Sequence, residues 1–491
     1  MKQPRSAQST ARSANAKPRS PRPQPQKAAP ALAFVLRTSL SVAALLDHFR
    51  ALFPPEALWW WLGGKVLYGR AFTPLIVLWY LVFQFLSGDR TLAAVVEDAR
   101  DGGADRLSPK GKRLSRQLRS DATASWAEAR QRLPVATVHH ALRASGQSIR
   151  ARVHGRQWHG LDLVPLDGST FRLRPWGDIP QAFPPHGGGN TAQPYWCLVR
   201  VVVAFCLATG VVLDCTLGAM TCSEQALALE MLVNRVWAGA LFIADRNFGV
   251  YAVVRAAVFA QAQILVRLTQ VRAQKLARHA GLTLQAGLDQ RVSWIPTRHD
   301  QCSPGLSRTP VHGRLIAMPM TPRGFRPFVL YLFTTLVDAE FTVADLVQGY
   351  GMRWQVELDL RYVKTQLDLE VLECKSADLA RKLWLAGLLA YNVVRAVMSA
   401  AAAVYHQSVF ALSFTRSLKA LRKWLPKAGS PQALRSWRRL LRRVAGFRHP
   451  QRKKLRPSEP RAIRYFKRDF PKLSGDRAKA REKLMRANAD S

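Results

Sequence analysis

Three carboxylates stand where their side chains could gather a divalent cation. Asp167 closes the apolar run LDLVPLD, Asp245 closes GALFIAD, and Glu357 lies within YGMRWQVELDLRYVK. Mg2+ takes hard oxygen ligands and keeps several waters, so a few carboxylates on separate elements suffice to hold it. Two such ions, with Mn2+ as a substitute, can activate an attacking oxygen and stabilise a leaving one at a phosphodiester. Around Glu357 the polar residues keep a helical rhythm. Tyr350, Arg353, Glu357, Arg361 and Lys364 follow one another at intervals of three, four, four and three. On one continuous helix they fall within an arc of roughly 80°. Met352, Val356, Leu360, Val363 and Leu367 form an apolar stripe beside them that would dock the helix on a core.

Each acid also has a plainer reading. Asp167-Gly168 suits a hairpin turn, Asp245 could cap a following helix, and Glu357 could pair with Arg353 or Arg361 on a solvated face. Arg361 suits that surface pair with Glu357 better than a role in chemistry. The catalytic reading rests on all three acids together, on elements whose order would bring them side by side.

Composition bounds the partners. The 491 residues allow several domains, and 48% apolar content fits a globular core. A net charge of +41 and a pI near 11.2 point to a polyanion, with affinity drawn from counterion release at phosphates. Nucleic acid fits that balance better than an anionic membrane surface. Six cysteines without a Cys-x-x-Cys pair suggest reduced, buried thiols in a cytosolic protein. His299 and Cys302 could share a zinc ion, but no second pair accompanies them.

The elements that must position the acids follow in order. Residues 1–30 read as a disordered basic arm. Residues 31–150 read as a helical domain, with helices at 39–53, 91–100 and 120–132. Its apolar run 71–86 is shorter than a membrane span and is broken by Pro74 and Gln84, so it reads as a core helix. From 151 to 268 the pattern is three strands, a helix, a strand, a helix and a strand, an order that predicts an RNase H-like α/β core. Ser223 is placed to cap the first of those helices. Residues 269–344 read as a β-rich insertion, 345–425 as the rest of the core with a long apolar helix over 377–404, and 426–491 as a basic tail. The stripe 435–456, including Arg438 and Arg442, is suited to DNA phosphates.

The order Tyr-x-x-Arg-x-x-x-Glu-x-x-x-x-x-x-Lys, met here at Tyr350, Arg353, Glu357 and Lys364, resembles the signature of the IS-four family of bacterial insertion-sequence transposases. The segments FTPLIVLWYLVFQFLS, ASWAEARQRLP and EPRAIRYFKRDFPKL also look like that family, and the resemblance covers most of 70–470. It implies a cut-and-paste DDE transposase whose helical N-terminal region binds the transposon ends. Its core would use two Mg2+ ions on Asp167, Asp245 and Glu357 to cleave and transfer DNA strands, by way of a hairpin intermediate. It implies that Tyr350, Arg353 and Lys364 contact the DNA backbone, and that Trp294, inside the insertion, stacks on a flipped base. The implied partners are the element's terminal inverted repeats and target DNA, with a homodimer in the synaptic complex, in the bacterial cytoplasm at the nucleoid and with no membrane. The family usually has Gly or Ala two residues after the second aspartate; this chain has Asn247, which tolerates glycine-like turns. The rival readings are an inactive DNA-binding protein or repressor derived from such an element, and a membrane-associated basic protein built on 71–86.

Overall fold

The computed structural model describes residues 45–62, 71–109, 111–151, 158–185, 196–298, 300, 306–321, 327–428 and 432–449, with 476, 479 and 482 as isolated positions. The first part is helical: α1 (Leu45–Leu52), α2 (Pro55–Trp61), α3 (Pro74–Ser87), α4 (Leu92–Arg100), α5 (Leu114–Gln117), α6 (Ala124–Arg132) and α7 (Val135–Ala151). Pro74 starts α3 where its missing N–H costs nothing, and Gly88 ends it in the left-handed conformation. Every residue from Leu75 to Leu86 is buried, so the most apolar run of the chain is a core helix. These helices share one apolar cluster with the sheet and with the last three helices.

The chain then alternates: β1 (Asp162–Leu173), α8 (Ile179–Ala182), β2 (Cys197–Phe205), β3 (Val212–Ala219), α9 (Glu224–Val233), β4 (Ala240–Ala244), α10 (Tyr251–Phe259) and β5 (Gln263–Arg267). Runs rich in Val, Ile and Phe fit a sheet covered on both faces. Next come α11 (Gln270–His279), β6 (Asp289–Trp294), β7 (Val311–Met320), β8 (Phe328–Thr334), α12 (Val343–Gly351), α13 (Trp354–Arg361) and β9 (Val371–Leu372). The chain closes with α14 (Ala377–Val404), α15 (Phe414–Trp424) and α16 (Ala433–Ala445). One mixed sheet runs in the order β3-β2-β1-β4-β5-β8-β7-β6, with β9 joined to β1. Helices α9, α10 and α11 cover one face. On the other, α12 lies over the β4–β5 half, and α13, α14 and the N-terminal helices over the β1–β3 half. Helix α14 is long and apolar enough to cross a membrane, yet nearly all of it is buried within the fold.

Three features depart from the sequence reading. The strand carrying Asp167 does not end there but continues to Leu173, because antiparallel pairing with β2 takes over from Leu166 onward. The strands of 269–344 extend the central sheet, since β8 pairs antiparallel with β5, and a helix the periodicity did not predict, α11, precedes them. The stretch 350–364 is not one helix. α12 stops at Gly351, the hydrogen bonds tighten to i→i−3 across Met352–Val356, and a π turn at Tyr362–Gln366 follows α13. Two glycines, Gly349 and Gly351, weaken the helix at the break. His299 and Cys302 lie outside the described residues.

Candidate active site

The site forms where β4 stops and β1 runs on. β1 pairs in parallel with β4 from Asp162↔Ala240 to Pro165↔Ile243. Asp167 follows two residues later on β1, and Asp245 is the first residue past β4. β1 regains a neighbour on that side only at Arg172, where β9 pairs with it. The interval leaves one edge of β1 without a strand, and both aspartates border it. The N–H of Gly168 donates to Asp167 Oδ1 at 2.9 Å, and the N–H of Asn247 donates to Asp245 Oδ1 at 2.8 Å, so each carboxylate is oriented by the backbone that follows it. Asn247 is not in the left-handed conformation, so its place does not depend on glycine-like freedom.

Glu357 reaches the same edge from α13. Val356, Leu360 and Val363 are buried, which fixes the face the helix turns to the sheet. Arg353 joins the acids: it donates to Glu357 Oε1 at 2.6 Å and lies 3.7 Å from Asp167 Oδ2. Burial pushes the Asp167 carboxyl up to about 6; Arg353 and the Gly168 N–H oppose that rise, while the charges of Asp245 and Glu357 add to it. Arg353 is itself pushed up: burial would lower it, but Tyr350, Glu357 and Asp167 outweigh the cost. Asp167 therefore senses both other acids, and one guanidinium partly neutralises two of the three.

The donors suit a hard divalent cation, being carboxylate oxygens from three elements. Among the described residues, however, no three His, Cys, Asp or Glu side chains already surround a common point. Arg353 lies between Asp167 and Glu357 instead, so a cation bound there has to take over the charge balance that Arg353 now supplies. The donor set fits in kind once that side chain yields.

A second layer holds α13 in place. Asp359 and Arg395 of α14 form a buried ion pair, and Arg395 Nε donates to Tyr391 Oη at 2.7 Å. Gln355 donates to Asp359 Oδ1 at 3.1 Å. Gly210 makes room for Arg395, since a Cβ there would sit 2.8 Å from its Cζ. A buried Asp and a buried Arg 36 residues apart show no local pattern in the sequence, and only the packing of α13 on α14 pairs them.

The remaining site candidates are placed as follows. Tyr350 lies in the last turn of α12, half-buried and beside Arg353. Lys364 sits in the π turn, half-buried, and Arg361 is exposed and makes no ion pair with Glu357. Trp294 is 8% exposed and packs edge-on against Phe333 at 4.9 Å between centroids, so its ring belongs to the core and is not offered to a base. The aromatic that is exposed on α13 is Trp354, at 58%. Arg438 and Arg442 are exposed on α16 together with Arg435, Arg439 and Arg443, while Trp437, Leu440, Leu441 and Val444 of the same helix are buried. No Asp or Glu occurs between 379 and 458 to offset them. Sequence reasoning passed over Glu224, whose carboxylate lies against Gly168 and accepts from Asn247; its place at the first turn of α9, behind an N-cap serine, was the available signal.

Residues 158–393 match the family described as transposase DDE domain. The transposase InsG of insertion sequence element IS4 from Escherichia coli (strain K12) is 26% identical over 281 residues, which cover 55% of this chain and 59% of that protein. Among solved structures, the piggyBac transposase synaptic complex with hairpin DNA is similar over 89% of this chain and 92% of that one, at 11% identity and a TM-score of 0.40. All three candidate acids lie within the matched 158–393 segment, and that segment carries the chain's likeness to the transposase DDE domain and to the IS4 transposase.

Proposed function

We propose that this protein cleaves DNA at the inverted ends of its own insertion sequence and transfers the freed 3′ ends, with Asp167, Asp245 and Glu357 as the catalytic acids. The observation that carries the reading is that Asp167 and Asp245 border the open edge of β1 while Arg353 bridges Asp167 and Glu357 there. The sheet order β3-β2-β1-β4-β5, antiparallel in its first three strands and parallel in its last three, supports an RNase H-like core into which 269–344 is inserted.

Asp167, Asp245 and Glu357 would hold two Mg2+ ions, or Mn2+ in their place, which when bound stabilise charge on the attacking and leaving oxygens. Arg353 neutralises Asp167 and Glu357 while the site is free of DNA, and its planar fork suits a phosphate when DNA arrives. Lys364 adds a point charge beside it, and Tyr350 a backbone contact. The exposed arginines of α16 would follow the phosphates further along the duplex. Residues 31–150 would grip the transposon ends, and two copies would meet in the complex that pairs them. A bacterial cytoplasm, at the nucleoid, is the compartment this work requires.

The test is purified protein with labelled element ends and Mg2+ or Mn2+. Nicking at the ends is expected from the wild type, and none from Asp167→Asn, Asp245→Asn or Glu357→Ala, each of which keeps its end binding in a gel shift. A wild type that binds ends without nicking them, or nicking that survives Glu357→Ala, would leave a DNA-binding protein or repressor derived from such an element.

A further inference from the structure

Asp167 and Glu357 meet on one face of the sheet, but a fourth carboxylate approaches the same edge from the other. Ser223 caps α9 by accepting from the N–H of Ala226, and Leu227 and Ala228 anchor the helix on the sheet, so its first turn is fixed. Glu224 in that turn lies directly on the backbone of β1: a Cβ on Gly168 would sit 2.3 Å from Glu224 Oε1. Gly168 follows Asp167, and successive side-chain positions on a strand point to opposite faces. Glu224 is thus seated behind the strand that carries Asp167.

From there it reaches the loop of the other aspartate. Asn247 Nδ2 donates to Glu224 Oε2 at 2.5 Å. Gln225 Nε2 donates to Asn247 O at 2.8 Å and to Asn247 Oδ1 at 3.2 Å. The N–H of Asn247 in turn orients Asp245 Oδ1. A Gly or Ala at 247 could make none of the bonds through the Asn side chain.

We infer that Glu224, acting through Asn247, is a positioning residue that clamps the Asp245 loop at its spacing from Asp167. The inference rests on the reading of Asp245 as a site carboxylate. Glu224 acts here as a hydrogen-bond acceptor, a role that an amide oxygen can take over.

Hydrogen exchange of the segment 243–250 and Mn2+ binding, followed by the paramagnetic signal of the free ion, test it on the full chain. Glu224→Ala and Asn247→Gly are expected to raise exchange in that segment and to weaken Mn2+ binding about tenfold, as loss of an outer partner of a metal ligand does, with the thermal midpoint kept. Glu224→Gln is expected to restore both. Wild-type exchange and affinity in Glu224→Ala would overturn the inference, as would a Glu224→Gln as weak for Mn2+ as Glu224→Ala with exchange unchanged, which would make the charge the active feature. A wild type that binds no Mn2+ would sink the metal reading of the site instead, and the exchange measurement would still decide the clamp.

Discussion

Arg353 and Glu357, one turn apart across the start of α13, share a hydrogen bond of 2.6 Å, and the same guanidinium lies 3.7 Å from Asp167. A signature spacing of four thus corresponds to a side-chain pair that spans two of the acids. The cation that suits a DNA phosphate is also the group that balances the carboxylates when no DNA is present.

Removing Arg353 should therefore act in two directions. Arg353→Ala takes away a competing positive charge, and Mn2+ should bind the DNA-free protein about fivefold more tightly, for a pair worth ~1 kcal/mol. The same variant should lose most of its end cleavage, because the phosphate contact proposed for Arg353 goes with it. Titration of free Mn2+ and a nicking assay measure the two arms. Unchanged or weaker Mn2+ binding would show that Arg353 does not stand in for the cation.

The pair Asp359–Arg395 carries a stability prediction. Both side chains are about 2% exposed, and Arg395→Met leaves the Asp359 charge buried without its partner. A cost of about 3–5 kcal/mol is expected, read from urea unfolding. The double variant Asp359→Leu with Arg395→Met should recover most of it, since an apolar pair needs no compensation. Equal losses in the single and double variants would place the contribution in packing instead.

Asp98 should make the N-terminal helices sensitive to pH. Burial holds its carboxyl up at about 6, against the hydrogen bond it accepts from Tyr80 Oη at 3.0 Å. Folding therefore favours the protonated form. That contribution is complete below the unfolded value near 4 and is lost as pH rises through about 6. Asp98→Asn should match the wild type at pH 4 and exceed it by ~1–2 kcal/mol at pH 7, after allowance for partial exposure. A variant less stable than wild type at pH 7 would contradict the burial argument.

The arginines of α16 should bind DNA without regard to sequence. Arg438→Ala and Arg442→Ala should each lower the slope of log K against log salt by about 1, equally for element ends and unrelated duplex. A loss confined to element ends would assign these residues to recognition.

The succession of strands and helices could be read from the sequence because it is written in local periodicity. Runs such as LDLVPLD and GALFIAD declare themselves as strands, Ser223 announces α9, and 377–404 can only be a buried or spanning helix. The acids could be nominated because each stands next to such an element. What local pattern could not encode was which strand lies beside which. That β1 outruns β4, opening an edge at Asp167 and Asp245, depends on pairing partners dozens of residues apart. So does the addition of β6–β8 to the same sheet, which gives Trp294 a core to sit in. The break at Met352–Arg353 arose where a helical rhythm in the polar residues concealed two weakening glycines. Side-chain types and their spacing, then, determined the chemistry this protein could attempt. Sheet order and helix packing, which are long-range, decided which groups meet: Arg353 between two acids, Arg395 behind Asp359, and Glu224 beneath Asn247.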